Sequence, residues 1–111
     1  MALSHDSPEL DKVFLALSSP KRRGMLHTLA YRPATVSQLA DEYEMSLPAI
    51  HKHINVLEDA ELIIRRKAGR TNFVALNKKT FRAVQRWIIQ YHTEWGNDEE
   101  TLENYIAGMQ E

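Results

Sequence analysis

The sequence predicts a mainly α-helical domain with one small β-hairpin, in the order α-α-α-α-β-β-α-α. Three observations predict it. Helix start signals recur through the first half of the chain, β-branched residues flank a glycine turn at residue 69, and helical periodicity resumes at residue 80. A chain of 111 residues is long enough for one domain with a single core.

The first two helices each begin with a serine followed by a proline. Ser7-Pro8 and Ser19-Pro20 each supply an N-cap side chain and a proline at the first helical position. Apolar residues then recur at helical spacing from Leu10 to Leu17 and from Met25 to Ala30. The second helix ends at Arg32, because the residue before a proline is disfavoured in the helical region.

The next two helices are short and closely connected. Thr35-Val36-Ser37-Gln38 has capping-box spacing and predicts the start of a third helix. Ser46 then caps a fourth helix, with Pro48 in its first turn. At about 100° per residue, Ile50 and Ile54 share one side of this helix and polar residues share the other. Two such helices joined by a tight turn form a helix-turn-helix.

After the fourth helix the pattern becomes extended. Residues 62–67 and 71–76 read as two strands joined by a turn at Ala68-Gly69-Arg70. From Thr80 an apolar and aromatic stripe runs at helical spacing to Trp95, a break is expected at residues 96–98, and a last helix follows. The whole is predicted to be one winged helix-turn-helix domain.

Charge is distributed unevenly along the chain, although the net charge is only −1. Residues 1–60 contain six basic and eight acidic side chains, residues 61–86 eight basic and one acidic, and residues 87–111 six acidic and no lysine or arginine. Because a partner responds to local charge, the middle segment favours an anionic partner. A solvated charged surface is the alternative.

Several classes of protein are disfavoured. The chain has no cysteine, which excludes disulfides, thiolate metal sites and cysteine nucleophiles. It shows no signal peptide, and no apolar run approaches the roughly 20 residues that span a bilayer. No glycine-rich phosphate loop, nucleophile elbow or HExxH motif occurs. We therefore expect a cytoplasmic protein that is not an enzyme, has no membrane partner and needs no cofactor.

Three separated motifs resemble those of one family. The second-helix signature of ArsR-type (arsenic-repressor) winged-helix regulators is similar to LALSSPKRRGMLHTL, their recognition helix to SLPAIHKHINVLEDAELI, and their wing to AGRTNFVAL. The resemblance covers roughly residues 10–95 and implies a homodimeric, DNA-binding transcriptional repressor. The C-terminal segments WIIQYHTEW and LENYI are similar to a metal-independent branch of that family.

The chain departs from the metal-sensing members of the family. Those members carry a cysteine pair in the third helix, where this chain reads QLADEYEM. Others use an Asp-x-His pair on the fifth helix, where this chain has Gln90-Tyr91-His92 with no later histidine. No H-x-x-x-H pair occurs either, so we expect no metal site.

The fourth helix carries the candidate base contacts. Phosphate contacts supply most of the affinity for DNA, base contacts supply sequence preference, and a recognition helix enters the major groove by its N-terminal half. The candidate DNA-binding residues are Ser46, Pro48, Ala49, His51, Lys52, His53 and Asn55. Among them, His53 and the helix N-terminus that Ser46 caps suit a phosphate rather than a base. Pro48 and Ala49 suit thymine methyl groups, and Lys52 or His51 suits guanine. A solvated helix face is the alternative, and for His53 a structural role is equally open.

Basic residues elsewhere are candidates for phosphate or minor-groove contact. The hairpin residues are Arg65, Arg66, Lys67 and Arg70. Their alternative role is to protect an edge strand by charge. Arg22 and Arg23 on the second helix suit a backbone phosphate, or equally an ion pair with the acidic third helix.

Aromatic residues on the terminal helices predict a homodimer. The candidate interface residues are Leu10, Phe14, Trp87, Tyr91 and Trp95. Such stripes usually belong to a core, but one outside the minimal winged fold needs a cover, and a second copy supplies it. The dimer would place two recognition helices about one DNA turn apart on a palindromic operator in double-stranded DNA. Residues 19–78 would then bind DNA, and residues 7–18 and 80–108 would dimerise.

A winged helix used only for protein contacts is the competing function. It predicts an uncharged wing and an apolar recognition face, and the basic cluster RRKAGR in the wing counts against this function. The sequence points to no particular small-molecule effector.

Overall fold

The computed structural model describes residues 2–92, 95 and 101–110. The elements are α1 Pro8–Leu17, α2 Pro20–Tyr31, β1 Ala34–Thr35, α3 Val36–Glu42, α4 Leu47–Asp59, β2 Ile63–Ala68, β3 Thr71–Leu76, α5 Lys78–Ile89 and α6 Thr101–Met109. The predicted winged helix-turn-helix order is confirmed, with one strand added.

The added strand, β1, turns the expected hairpin into a three-stranded antiparallel sheet of order β1-β3-β2. Ala34 pairs with Val74, and Thr35 pairs with Phe73. A strand of two residues is too short to show a periodicity in the sequence. It forms because the edge of β3 opposite β2 has backbone groups that β1 can pair with. Because β1 leads directly into α3, this pairing ties the wing to the helix-turn-helix.

The predicted helix caps are confirmed. The hydroxyl oxygens of Ser7, Ser19 and Ser46 each accept a hydrogen bond of 3.3 Å from the backbone N–H three residues later. Thr35 and Gln38 form the reciprocal capping box, at 3.1 Å and 2.9 Å. Each cap satisfies a donor that would otherwise lack a partner, which typically contributes about 1 kcal/mol.

One apolar core holds the helix-turn-helix against the sheet. Its largest fully buried hydrophobic side chains are Val13, Met25, Leu39, Ile50, Ile54, Leu57, Leu62 and Val74. Burying each large aliphatic side chain contributes about 1.5–3 kcal/mol. The core thus fixes the inner face of α4 and leaves its outer face at the surface.

Helix α1 contributes one face to the core of the protomer. Val13 and Ala16 lie in the main core. Leu10 packs with Leu3 and Ala83 in a second cluster and is only 3% exposed. Leu10 was expected at a dimer interface, but its side chain is already covered within one chain.

Helix α5 begins at Lys78, two residues earlier than the sequence suggested. Thr80 lies inside its first turn, is fully buried, and its hydroxyl donates to the backbone carbonyl of Glu61. This bond fastens α5 to the turn that follows α4. Glu61 adopts a left-handed conformation with φ 58°, which is uncommon for a residue with a side chain.

The aromatic stripe does not continue on one helix to Trp95. Helix α5 ends at Ile89, and Tyr91 lies in the turn after it. The predicted break at residues 96–98 lies outside the described residues. Within the described part of the chain, no helix is long and apolar enough to cross a membrane.

Candidate nucleic-acid interface

Helix α4 separates its side chains into an inner and an outer face. Ile50 and Ile54 are fully buried on the inner face. Lys52 and Asn55 are exposed, and His51 is half-buried. The residues expected to meet base edges therefore lie at the surface rather than in the core.

The turn between α3 and α4 sets the direction of α4. Glu44 adopts a left-handed conformation with φ 53°, and the N–H of Met45 bonds the carbonyl of Ala40 at 2.9 Å. The left-handed conformation and this hydrogen bond end α3 and turn the chain toward α4. Ser46 then caps α4, so its hydroxyl oxygen is already engaged with the N–H of Ala49.

At the N-terminus of α4, Pro48 is exposed and Ala49 is half-buried. Leu47, at the margin of the apolar side, is also exposed.

The tip of the wing is basic and exposed. Lys67 pairs with Asn72, Ala68 pairs with Thr71, and Gly69 adopts φ 62° in the turn between them. Arg66, Lys67 and Arg70 are all exposed. Glycine suits this turn because it reaches positive φ without steric cost.

A cleft of about 460 Å³ lies between α4, the start of α3 and the wing. His51 and Arg70, predicted separately from two elements, both line it. Ser37 and Asn72 line it as well and were not among the predicted residues. Ser37 and Asn72 come together through packing between elements far apart in sequence, such as the pairing of β1 with β3, so no local pattern could have indicated either residue.

Arg65 does not extend into solvent as the other wing cations do. Its Nη2 donates to Oε1 of Glu58 at 2.9 Å and to Oδ1 of Asn55. Its side chain is 22% exposed. Arg65 was predicted to contact phosphate, but in this structure it joins β2 to α4.

Arg22 and Arg23 bond the end of α1 rather than the acidic third helix that was one of their predicted partners. Arg22 donates from Nε to the carbonyl of Ala16 at 2.8 Å and from Nη2 to that of Leu15 at 3.0 Å. Arg23 donates from Nη1 to the carbonyl of Leu17 at 2.7 Å. Both satisfy carbonyls at the C-terminus of α1, where positive charge is favoured by the helix dipole.

His53 lies beside Arg22, with 3.3 Å between Nδ1 of the histidine and Nη1 of the arginine. Because a guanidinium has only donors, Nδ1 must accept, so the ring is neutral in this contact. Burial lowers the pKa of His53 from its ordinary value of 6.5, and the positive charges of Arg22 and Lys21 lower it further. These contacts favour the structural role for His53.

Aromatic side chains of α1, α5 and the segments that follow α5 make edge-to-face contacts. The ring of Trp87 lies 5.5 Å from that of Phe14 and 5.2 Å from that of Tyr91. Trp95 lies 5.6 Å from Tyr105 of α6. Phe14, Tyr91, Trp95 and Tyr105 remain exposed.

No metal centre is formed by the residues that the structure describes. They contain no group of three or more histidine, aspartate or glutamate side chains placed to hold an ion.

Comparison with known proteins places this geometry among transcriptional regulators. A helix-turn-helix domain family matches residues 17–66. The transcriptional repressor SdpR of Bacillus subtilis is 29% identical over 89 residues, which cover 80% of this chain and 99% of SdpR. The HTH-type transcriptional regulator Rv2034 of Mycobacterium tuberculosis is 30% identical over 83 residues, covering 75% and 78% of the two chains.

Similar solved structures show which family of regulators this chain resembles. An ArsR family transcriptional regulator of known crystal structure is 41% identical in sequence to this chain, with a TM-score of 0.71. The match covers 81% of this chain and 91% of that one. The chain belongs to the ArsR family of transcriptional regulators. An ArsR-like regulator from Rhodococcus sp. RHA1 is 27% identical, with a TM-score of 0.72, and covers 92% and 87% of the two chains.

As an ArsR-family regulator, the protein is a DNA-binding regulator of transcription, and the resemblance seen in its three motifs is confirmed. The matched residues 17–66 run from the end of α1 into β2. They include all of α4, with Asn55 and Glu58, and Arg65 of β2.

Proposed function

We propose that the protein is a dimeric ArsR-type repressor whose α4 and wing bind a two-fold symmetric site in double-stranded DNA. One observation carries the proposal. The polar outer face of α4 and the basic wing tip are exposed, and His51 and Arg70 line the cleft between them. A single duplex can therefore contact both elements at once.

The N-terminal half of α4 enters the major groove in this proposal. Lys52 and His51 donate to guanine O6 or N7, while Pro48 and Ala49 contact thymine methyl groups. Pro48 and Lys52 are exposed and His51 and Ala49 are half-buried, which supports these roles, because the core takes up Ile50, Ile54 and Leu57 on the opposite face. Ser46 keeps its cap and brings the first backbone N–H groups of α4 near a phosphate.

Arg66, Lys67 and Arg70 bind phosphates or the minor groove beside α4. Each is exposed and can reorient toward a duplex. Arg65 is assigned a different role because Glu58 already neutralises its charge. Arg22, Arg23 and His53 position the helices rather than bind DNA. The contact between Arg22 and His53 and the bonds of both arginines to carbonyls of α1 support this role.

Dimerisation uses the exposed apolar side chains of the terminal helices. Phe14 and Tyr91 flank Trp87 and leave an apolar surface shared by α1 and α5. Helix α6 buries none of its residues within the protomer, although it carries exposed Leu102, Tyr105, Ile106 and Met109. A surface of this kind is stabilised when a second copy covers it.

We also propose that the protein represses transcription and lies in the cytoplasm. SdpR is named a repressor, and the region of identity covers nearly all of it. The absence of cysteine from this chain supports regulation without a thiolate metal site.

Selection of bound duplexes from a random pool tests the proposal. We expect the wild type to enrich a two-fold symmetric sequence, and Lys52→Ala to lose preference at one pair of symmetric positions. Lys12→Ala, which removes an exposed cation of α1, is the matched control and should enrich the wild-type sequence. If the wild type enriches no sequence at all, the protein-interaction module is the better function.

A further inference from the structure

We infer that Arg65 sets the base preference of Asn55, by holding the side-chain oxygen of Asn55 toward the protein so that its amide group offers donors to DNA. This role rests on the proposed function, because it requires α4 to lie in the major groove. Arg65 is thus a positioning residue, and Asn55 is the residue that contacts the base.

Three side chains from two elements form the contact. Asn55 and Glu58 are three residues apart on α4, so their side chains share one face of the helix. Arg65 reaches them from β2, and its Nη2 donates to Oδ1 of Asn55 and, at 2.9 Å, to Oε1 of Glu58. The guanidinium is mostly shielded from solvent, so water screens this ion pair less than a fully exposed one.

The chemistry of arginine fixes which atom of the amide faces it. A guanidinium carries only N–H donors, whereas an asparagine side chain has one accepting oxygen and one donating NH₂ group. If the amide were reversed, its NH₂ would face another donor without an acceptor between them. The oxygen of Asn55 therefore stays hydrogen-bonded to Arg65, which turns the NH₂ group of Asn55 toward the exposed side of α4.

Glu58 makes this arrangement independent of DNA. Its carboxylate compensates the charge of Arg65, so the guanidinium has an anionic partner before any phosphate arrives. The orientation of Asn55 is thus established in the free protein and need not form during binding.

The outward NH₂ group determines which bases suit Asn55. Guanine presents two neighbouring acceptors, O6 and N7, in the major groove. A bidentate contact with adenine needs the amide to donate to N7 and the side-chain oxygen to accept from N6. Because Arg65 holds that oxygen, Asn55 should favour guanine over adenine.

Base selection with two variants of Asn55 tests the assignment. Asn55→Ala should abolish preference at one pair of symmetric positions, and the wild type should select guanine there. Asn55→Asp keeps an oxygen for Arg65 but replaces the outward donor with an acceptor. It should shift the preference at those positions toward cytosine, whose N4 donates, by about fivefold or more.

Variants of the wing strand test the part played by Arg65. Arg65→Met removes the guanidinium and frees the oxygen of Asn55, so adenine should gain about fivefold or more relative to guanine at the same positions. Arg66→Met is the matched control, because it removes an equal charge from the next residue of β2. It should weaken binding to all duplexes and leave the base preference unchanged.

Several results would overturn the inference while leaving the proposed function intact. These are adenine at the Asn55 positions in the wild type, an unchanged profile in Asn55→Ala, or the same profile for Arg65→Met and Arg66→Met. Failure of the wild type to enrich any symmetric site would instead contradict the proposed function, and the inference with it. If Arg65→Met does not fold, two results still test which group Asn55 turns outward: the preference of the wild type for guanine over adenine, and the shift of Asn55→Asp, which changes one exposed side chain, toward cytosine.

Discussion

Arg22 joins three helices, because its guanidinium lies 3.3 Å from Nδ1 of His53 on α4 while bonding the carbonyls of Leu15 and Ala16 at the end of α1. A single residue of α2 thus connects the helix that carries Phe14 with the proposed recognition helix. The contact requires His53 to be neutral.

Neutral His53 should make the protein less stable in mild acid. Folding lowers the pKa of His53 below its ordinary 6.5, so the folded state binds fewer protons than the unfolded state below that pH. The stabilising contribution is therefore present above pH 6.5 and is lost as the pH falls toward the folded pKa. Urea unfolding at about pH 7.5 and about pH 5.5 should show this decrease in the free energy of unfolding.

His53→Gln, which keeps an acceptor but does not titrate, should show a smaller decrease than the wild type. His5→Gln removes an exposed histidine and should behave as the wild type does. Equal pH dependence in wild type and His53→Gln would show that the contact with Arg22 does not control this titration.

Arg70→Ala should weaken binding to all duplexes similarly. Arg70 is exposed at the wing tip, and neutralising one phosphate releases about one counterion. The plot of log affinity against log salt concentration should therefore become shallower by about one unit. Lys12→Ala should leave the slope unchanged, whereas an altered base preference in Arg70→Ala with the wild-type slope would mean that Arg70 reads a base.

Thr80→Val should lower the free energy of unfolding by about 1–2 kcal/mol, because the carbonyl of Glu61 loses its donor while the buried volume stays nearly constant. Chemical denaturation measures the change. Thr71→Val makes the same substitution at an exposed position of β3 and should have little effect. Equal stability of Thr80→Val and wild type would show that this bond does not hold α5 in place.

Tyr91→Glu should dissociate the proposed dimer. Tyr91 is 65% exposed within the protomer, so a charge there can oppose association without disturbing the core. Sedimentation should show a monomer, and affinity for a two-half-site duplex should fall by about tenfold or more as the half-sites lose their linkage. Tyr31→Glu, at a 79% exposed tyrosine of α2, should remain dimeric, and a dimeric Tyr91→Glu would place the interface elsewhere.

Local signals predicted most of the fold. The caps at Ser46 and Thr35 depend on residues three positions apart, and the apolar side of α4 depends on helical spacing, so both are readable from the chain alone. Strand β1 was missed because its partner lies about forty residues later, and two residues show no periodicity.

The predicted site was less complete because side-chain partners come from other elements. The charge pattern identified Arg22 and Arg65 as cations but could not show their partners. Arg22 bonds backbone carbonyls at the end of α1, whereas Arg65 bonds the side chains of Asn55 and Glu58. In the same way, the apolar stripe of α1 includes both Leu10 and Phe14, yet only packing against Ala83 shows that Leu10 is covered.

Placement of the outer face of α4 in the major groove is tested most directly by DNA cleavage from a single attached reagent. The chain has no cysteine, so Leu47→Cys, at the exposed start of α4, can carry an iron chelate at one defined position. The selected duplex should be cut once in each half-site, with the offset between strands that marks the major groove, whereas Lys12→Cys should give no cleavage. Cleavage with the minor-groove offset, or none from Leu47→Cys while the duplex is fully bound, would contradict this placement.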